Sequence, residues 1–264
     1  MTVRRTESFW GQLQIQGRVI WALLMREMIT RYGRESLGVL WIIAEPAMFI
    51  VGVMIIFSAI EAPFKGSTVA EYLAVSYPTL LLWRNATNRV TGAIEVNRAL
   101  LHHQPIRPFD IIYSRILLEF TSAAGSFLIL YLIFVAIGIC HWPYDVLTTV
   151  LGYLLIVWFS FGFVMIMAGL SEISETIEKM SHIILYLMLP VSGVFIPAYV
   201  IPPPFREYVL LFPLVDCVEY FHHGYFGPAM PTYYLLHYTM VANLVMTLFG
   251  MALMSVAIKK VQST

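Results

Sequence analysis

The sequence contains few charged residues. Only 12% of its 264 residues are Asp, Glu, Lys or Arg, and 59% are apolar, whereas soluble domains have about 25% charged and about 45–50% apolar residues. A chain of this length cannot bury so much apolar surface inside one globule, which argues strongly against a soluble enzyme. The formal net charge is zero, so nothing indicates a nucleic-acid partner.

Cysteine is also scarce. Cys140 and Cys217 are the only two, too few for a disulfide scaffold or a thiolate metal site, and whether they pair is left open by the sequence. The chain has no P-loop, no H-E-x-x-H and no G-x-S-x-G motif. The adjacent His102 and His103 would project from different faces of a helix, so they are poorly placed to share a metal ion. We therefore expect no catalytic residues, no metal site and no cofactor in this chain.

Long apolar runs dominate the sequence. A transmembrane helix needs about 20 mostly apolar residues. Five runs qualify: 37–60, 116–140, 146–170, 183–201 and 233–258. A sixth crossing is expected over 70–96, where the second half is polar and should face protein or water rather than lipid. The predicted fold is therefore an all-α membrane protein with six transmembrane helices.

The basic residues predict the orientation of these six crossings. Twelve Lys and Arg residues fall on one side of the membrane and two, Lys65 and Arg206, on the other. By the positive-inside rule, both termini are cytoplasmic. We expect one transmembrane domain over 1–264, with a cytoplasmic interfacial helix in 1–36 and the bundle in 37–260. The first 36 residues contain too many charges for the apolar core of a signal peptide.

Two segments on the basic side are expected to be helical without crossing the membrane. Residues 8–32 have apolar positions at near-helical spacing with Arg between them, which predicts an amphipathic helix in the interface. This helix could be a membrane anchor or a docking surface for a partner. A short helix is expected over 97–103.

The segment 171–179 is acidic. Glu172, Glu175 and Glu178 are three residues apart and would share one face of a helix. A solvated turn is the favoured interpretation, and a second docking helix is the alternative.

The segment 197–232 lies before the last crossing, on the opposite side. Its apolar run 208–215 is too short to cross the membrane and too apolar for a free loop. We expect short re-entrant or interfacial helices that cap a pore, anchor the chain among headgroups, or do both.

Several charged and polar residues fall within the crossings, where each charge costs about 2.5–3.5 kcal/mol on insertion scales. They are Glu45 in the first crossing, Arg84, Asn88, Arg89, Thr91 and Glu95 in the second, and Glu119 in the third. The spacing of 84, 88, 91 and 95 predicts one polar stripe. The charges could form internal ion pairs, such as Arg89 with Glu45 or Glu119, or they could line a hydrophilic conduit. Tyr77 and Trp83 could present aromatic faces to sugars, although most such residues belong to the core.

Two segments resemble a known family. Residues 23–46, LLMREMITRYGRESLGVLWIIAEP, contain R-x-x-x-x-R-Y followed by S-L-G-x-L-W and E-P, and are similar to the start of ABC-2 type permeases of the polysaccharide-export branch. Residues 97–120, NRALLHHQPIRPFDIIYSRILLEF, resemble the corresponding part of capsular polysaccharide export inner-membrane proteins. Length, number of crossings and orientation agree with this resemblance along the whole chain.

The resemblance implies a transporter in which two copies of the chain form a channel. Two copies of a separate P-loop ATPase, which holds ATP and Mg, would bind beneath it. It assigns ATPase-coupling roles to Arg26, Arg31, Arg98, Leu101, His102, Glu172 and Glu175. It also assigns a periplasmic gate to the segment 202–227, with Phe205, Tyr208, Tyr220 and Phe221 as its residues.

The implied substrate is a lipid-linked acidic polysaccharide, exported across the bacterial inner membrane to the periplasm. A periplasmic adaptor and an outer-membrane export protein are further implied partners. Arg84 and Arg89 would contact the polyanion, and the rest of the pathway would comprise Asn88, Glu45, Glu119, Trp83 and Tyr77. The alternatives are an exporter of another glycan or a small molecule, a scaffold of a glycan-synthesis complex, and an ion-coupled transporter. A scaffold needs no polar crossing, and the sequence lacks the internal repeat of many ion-coupled transporters.

Overall fold

The computed structural model describes residues 9–32, 38–58, 65–103 and 106–263, and within these ranges the chain is helical without β-strands. The α-helices are α1 (Phe9–Tyr32), α2 (Gly38–Ser58), α3 (Val69–Val90), α4 (Ala93–Val96), α5 (Arg98–His103), α6 (Pro108–Ala136), α7 (Val146–Ile173), α8 (Glu175–Met188), α9 (Pro203–Leu210), α10 (Pro213–Phe226) and α11 (Leu236–Ser263). Two short 3₁₀ helices cover Ala198–Val200 and Gly227–Ala229.

Three helices in the described part of the chain are long and apolar enough to cross a membrane. They are Pro108–Ala136, Val146–Ile173 and Leu236–Lys260, and α2 contains a shorter apolar stretch, Ile43–Val53. The crossings expected at 116–140, 146–170 and 233–258 fall on these three helices.

The helix α6 begins eight residues before the predicted crossing. Pro108 occupies its first turn, where a missing N–H costs nothing. The Asp110 carboxylate accepts a hydrogen bond of 3.2 Å from the N–H of Arg107, which caps the helix start. Polar capping therefore extends α6 beyond its apolar run.

The crossing expected over 183–201, which Pro190 and Pro197 interrupt, is not one continuous helix. The helix α8 ends at Met188, and the chain then turns through Gly193, whose φ of +75° favours glycine. The Tyr72 hydroxyl donates a hydrogen bond of 2.9 Å to the Gly193 carbonyl. Pro190 cannot supply a backbone donor, so the apolar run does not continue as a helix.

The expected solvated turn over 171–179 is also wrong. The helix α7 ends at Ile173, Ser174 is extended with φ −144° and ψ 115°, and α8 begins at Glu175. Because this break separates Glu172 from Glu175 and Glu178, the three carboxylates do not share one helical face.

The polar stripe predicted along 84–95 is interrupted. The helix α3 ends at Val90, and Gly92 has a φ of +69°, a conformation that L side chains rarely adopt. Glu95 therefore lies on α4 rather than on a continuation of α3, and the stripe of α3 reaches only from Arg84 to Asn88.

The helix α1 is continuous over nearly the whole predicted range and packs against α6. Leu23 and Leu24 are buried, whereas Trp10 and Trp21 are 70% and 61% exposed. Gln16 donates a hydrogen bond to the Asp110 carboxylate at the start of α6. One side of α1 thus contacts the bundle, and its exposed tryptophans leave another side uncovered in the single chain.

The helix α7 lies at the centre of the bundle, against α11, α10 and α3. Glycines allow its neighbours to approach closely. A Cβ on Gly152 of α7 would lie 2.5 Å from the Phe221 Cα of α10, and a Cβ on Gly250 of α11 would lie 2.8 Å from the Met165 Cβ of α7. Every residue from Glu71 to Trp83 in α3 is buried, so this half of α3 is enclosed by protein.

The pairing of the two cysteines is settled by the structure. Cys140 lies after α6 and Cys217 lies on α10, and both are buried free thiols. They form no disulfide with each other.

We predict that Gly152→Ala destabilises the protein by about 1–3 kcal/mol, the usual cost of overpacking. The added methyl group would overlap the backbone of Phe221, which cannot rotate away as a side chain could. Thermal unfolding of the purified protein in detergent measures the change.

The matched control is Gly125→Ala in α6, where a Cβ would meet nothing within 4 Å. This variant should be as stable as the parent or more stable by up to about 1 kcal/mol, because alanine favours a helix over glycine. Equal unfolding temperatures for both variants would contradict the close approach of α7 and α10.

Candidate functional site

The two aromatic residues predicted in the pathway are buried in the single chain. Trp83 has no exposed surface and packs edge-on against Phe163, with ring centroids 6.0 Å apart. Tyr77 is 4% exposed and stacks on Phe49 of α2 at 4.0 Å and 9°. Both rings therefore contribute to packing of α3 in the single chain.

Arg84 lies at a half-exposed position and contacts α8. Its Nη2 is 3.4 Å from the Tyr186 hydroxyl, and its guanidinium carbon is 5.2 Å from the centre of the Tyr186 ring. This geometry is that of a cation–π contact. Tyr186 is 60% exposed, so the pair presents a cation and an aromatic ring together. Tyr186 was not predicted from the sequence, because only the fold brings it to Arg84.

Arg89 forms one of the ion pairs expected from the sequence. Its Nε is 3.9 Å from the Glu119 Oε1, with the Glu119 side chain 6% exposed and the Arg89 side chain 57% exposed. The Arg115 Nη1 donates a hydrogen bond of 2.8 Å to the Arg89 carbonyl, and its Nε is 3.2 Å from Glu27 of α1. Arg89 thus provides a cationic partner for the buried Glu119 carboxylate, and more than half of the Arg89 side chain remains exposed.

The remaining predicted pathway residues lie on two helices. Asn88 is half-buried on α3, one turn after Arg84. Glu45 is exposed on α2, and the following Pro46 is buried within the helix. The structure thus brings Arg89 to Glu119 and Arg84 to Tyr186, while Glu45 remains on an exposed face.

The turn between α3 and α4 is held by the end of α7. The N–H of Ile94 donates a hydrogen bond of 3.0 Å to the Glu172 Oε1, and the N–H of Gly92 donates one of 3.4 Å to the Ser171 Oγ. The Asn97 side chain accepts from Arg26 of α1 at 3.3 Å. The helix α7 therefore contacts the start of α4, and α1 contacts the residue at its end.

A cleft of about 820 Å³ opens beside the turn, between α4–α5 and α7–α8. Its lining contains three predicted coupling residues, Arg98, Glu172 and Glu175. Leu101 is half-buried against the smaller of the two apolar cores. The side chains of Arg31 and His102 lie outside the described part of the structure.

The four predicted gate residues do not form one surface in the single chain. Phe205 and Tyr208 on α9 are 65% and 73% exposed. Tyr220 is half-buried and contacts Tyr234 edge-on at 5.1 Å. Phe221 is fully buried in the core beneath α10.

Two buried carboxylates on α10, neither of them predicted from the sequence, hold the chain before and after this helix. The Glu219 Oε1 and Oε2 accept hydrogen bonds of 2.9 Å from the N–H groups of Ala198 and Tyr233. The Asp216 Oδ2 accepts from the N–H of Leu235 at 3.1 Å. Acids three residues apart in an apolar helix could have indicated such a role.

Arg206 on α9 completes this arrangement. Its guanidinium donates hydrogen bonds to the carbonyls of Ala198, Tyr199 and Ile201, at 2.9, 3.3 and 3.0 Å respectively. Its Cζ lies 4.0 Å from the centre of the Tyr233 ring. Polar contacts from α9 and α10 thus fix the chain on both sides of the 3₁₀ helix Ala198–Val200.

Burial raises the pKa of Glu219 from its ordinary value of 4.5 to about 7, against the two N–H donors, which lower it. The nearby Asp216 adds to the rise and Arg206 opposes it. Because desolvation penalises the ionised form, Glu219 binds its proton more tightly in the folded protein.

We predict that the protein loses stability as the pH rises from 4.5 to 7. In this interval the folded state binds the Glu219 proton and the unfolded state does not, so the free energy of unfolding falls by up to about 1.4 kcal/mol per pH unit. Thermal unfolding in detergent across this range measures the slope.

Glu219→Gln should flatten this slope, while the exposed Glu207→Gln on α9 serves as control. The raised pKa of Asp216 contributes with the same sign and is present in both variants. Identical slopes for the two variants would contradict the assignment to Glu219.

Residues 18–226 match the ABC-2 type transporter family. The chain is 35% identical to the capsule polysaccharide export inner-membrane protein CtrC of Neisseria meningitidis serogroup B over 94% of both chains. It is 34% identical to BexB of Haemophilus influenzae, which has the same descriptive name, over 93% of both chains. It is 30% identical to the polysialic acid transport protein KpsM of Escherichia coli over 91% of this chain and 93% of that protein. The chain belongs to the ABC-2 type transporter family.

Proposed function

We propose that the chain is the channel subunit of an ATP-driven exporter that moves a lipid-linked acidic polysaccharide across the bacterial inner membrane. The observation that carries this proposal is the similarity, over more than nine tenths of the chain, to proteins named for capsule polysaccharide export and polysialic acid transport. Polysialic acid is a polyanion, and the accessible cations Arg84 and Arg89 suit such a substrate.

The proposed topology has six membrane crossings and cytoplasmic termini. The three long apolar helices, the apolar stretch of α2 and the enclosed helix α3 support five of these crossings. The sixth is formed by α8 with the turn that follows it. The helices α9 and α10 then return at the periplasmic side as short re-entrant elements. The Lys and Arg asymmetry supports this orientation.

The proposed assembly contains two copies of this chain and two copies of a P-loop ATPase, which binds ATP and Mg. The chain has no P-loop of its own, so the energy must come from a partner. The cleft beside α5 and α8 and the helix α1 would contact that partner. A periplasmic adaptor and an outer-membrane export protein would extend the route.

Arg84, Tyr186 and Arg89 are proposed to contact the moving polymer. The Arg84 guanidinium packs on the Tyr186 ring, and the charge of Arg89 is partly neutralised by Glu119. Neither side chain is therefore a fully free cation, which weakens its attraction for any one acidic sugar. Weak contacts suit a polymer that must slide, because tight binding would stop it.

We predict that a P-loop ATPase copurifies with the chain in nearly equal amounts. The measurement is affinity purification from native membranes through a C-terminal tag in mild detergent, followed by mass spectrometry. A tagged, unrelated multi-span inner-membrane protein is the control. Absence of an ATPase even after crosslinking would remove the energy source and contradict the exporter proposal.

We predict that Arg84→Ala lowers surface polysaccharide by about tenfold, the loss expected for one charge-assisted contact. Arg84→Lys should retain most export, because it keeps the cation. Surface polysaccharide, protein level and ATPase copurification are measured together.

Lys65→Ala is the matched control, since it removes an exposed cation outside α3. Arg89→Ala should act in the same direction as Arg84→Ala, although it also leaves the Glu119 carboxylate without this partner. Normal export by Arg84→Ala would show that Arg84 is not in the pathway.

A further inference from the structure

The short helix α4 depends on another helix for its cap. The N–H groups in the first turn of a helix have no partner within that helix. Gly92, which precedes α4, has no side chain and so cannot cap it. The Glu172 carboxylate on the last turn of α7 accepts the N–H of Ile94 instead, at 3.0 Å. The cap of α4 is therefore supplied by Glu172, a residue almost eighty positions away in the sequence.

The same turn is in contact with α8. A Cβ on Gly92 would lie 2.6 Å from the Glu178 Oε1, so the α8 side chain occupies the space beside this glycine. The φ of +69° further restricts the position to glycine. Helices α3, α4, α7 and α8 consequently converge at Gly92.

Further polar contacts hold the end of α7 and the end of α4. The Lys260 Nζ of α11 donates a hydrogen bond of 3.0 Å to the Ile173 carbonyl at the end of α7. The Asn97 Nδ2 donates one of 2.9 Å to the Ala93 carbonyl of α4, and Arg26 of α1 donates to the same amide. Of the two bonds from the turn to α7, that of Glu172 is shorter than that of Ser171, at 3.0 against 3.4 Å.

We propose that Glu172 is a positioning residue that joins α4–α5 to the end of α7, so that the two segments facing the ATPase move as one unit. This inference rests on the proposed function, in which α5 and α8 face the ATPase. A displacement of α5 then passes directly into α7 and α3, and α3 carries Arg84 and Arg89. Without the Glu172 bond the turn at Gly92 would absorb part of that displacement.

The test separates the acceptor atom of Glu172 from its charge. Glu172→Gln keeps the Oε1 acceptor and loses the charge, whereas Glu172→Asp keeps the charge on a side chain one carbon shorter. Glu172→Ala removes both. We expect Glu172→Ala and Glu172→Asp to lower export about tenfold for a given amount of copurified ATPase. Export is normalised in this way because Glu172 also lines the cleft proposed to contact the ATPase. Glu172→Gln should restore export.

A distance measurement on the purified chain tests whether Glu172 holds α4 in place, without reference to transport. Spin labels at Val96→Cys on α4 and Met180→Cys on α8 report the distance between the two segments. Both positions are exposed, at 77% and 47%, and the native cysteines are buried. The distance distribution should broaden in Glu172→Ala and Glu172→Asp and stay narrow in Glu172→Gln.

The outcomes distinguish this inference from the proposed function. An unchanged distance distribution in Glu172→Ala and Glu172→Asp, or equal export by Asp, Ala and Gln variants, would overturn the positioning role. A broadened distribution with normal export would also overturn it. If no ATPase copurifies with the parent chain, the proposed function fails, and the distance measurement still decides whether Glu172 holds α4. If Glu172→Ala does not fold, the Asp and Gln variants carry the comparison.

Discussion

The close approach of α7 to its neighbours is the constraint on which the rest of the structure depends. Near its start, Gly152 lies against the backbone of α10, and further along Gly162 and Gly169 lie against α11. Small residues at such contacts let helix backbones approach and gain packing energy where lipid offers no hydrophobic driving force. These contacts set the position of α10 relative to α7. Both helices carry carboxylates that accept hydrogen bonds from the backbone of other segments.

The carboxylates act at opposite ends of this central helix. Near the start of α7, Asp216 and Glu219 of the adjacent α10 accept hydrogen bonds from the backbone N–H groups of the chain before and after α10. At the other end, Glu172 accepts the N–H of Ile94 from the turn after α3. In each case a side-chain oxygen satisfies a backbone donor from another part of the chain. An unpaired donor at such a position would cost free energy, so these short segments are fixed by side chains of the neighbouring long helices.

The sequence predicted the long apolar helices well because hydropathy over about 20 residues needs no knowledge of neighbours. It failed where single residues end or extend a helix. The cap formed by Pro108 and Asp110 lengthens α6, and Ser174 separates α7 from α8 inside an acidic segment that looked uniform. The Thr-Gly pair at 91–92 signalled the end of α3, but the spacing of polar residues concealed it. These breaks depend on local backbone conformation rather than on composition.

The candidate site was predicted only in part, because most of its contacts join residues that are distant in the sequence. Arg89 and Glu119 lie on separate helices, and their charges alone indicated that they could pair, since a lone charge at membrane depth is costly. Nothing in the sequence pointed to Tyr186, and only the spacing of Asp216 and Glu219 in an apolar helix was a signal for these two acids. The roles of all three residues come from contacts with distant segments. Trp83 is a contrasting case, because an aromatic residue in a polar helix suggested a sugar contact, whereas in the single chain the ring is buried.

The distribution of contacts along α7 has a consequence for transport. Its middle is joined to α11 through tight packing around glycines, where a displacement of even a methyl group is resisted. Its start packs equally closely on α10, where a Cβ on Gly224 would lie 2.4 Å from the Thr149 N. By contrast, the turn after α3 and the chain around Ala198 are held by individual hydrogen bonds to Glu172 and Glu219, each worth about 0.5–1.5 kcal/mol. The exporter proposed above must change shape in one part while another part stays intact. The energy needed to break a few such bonds is small beside that needed to separate the packed helices, so in that proposal the change would begin in the segments held by Glu172 and Glu219 and leave the packed length of α7 unchanged.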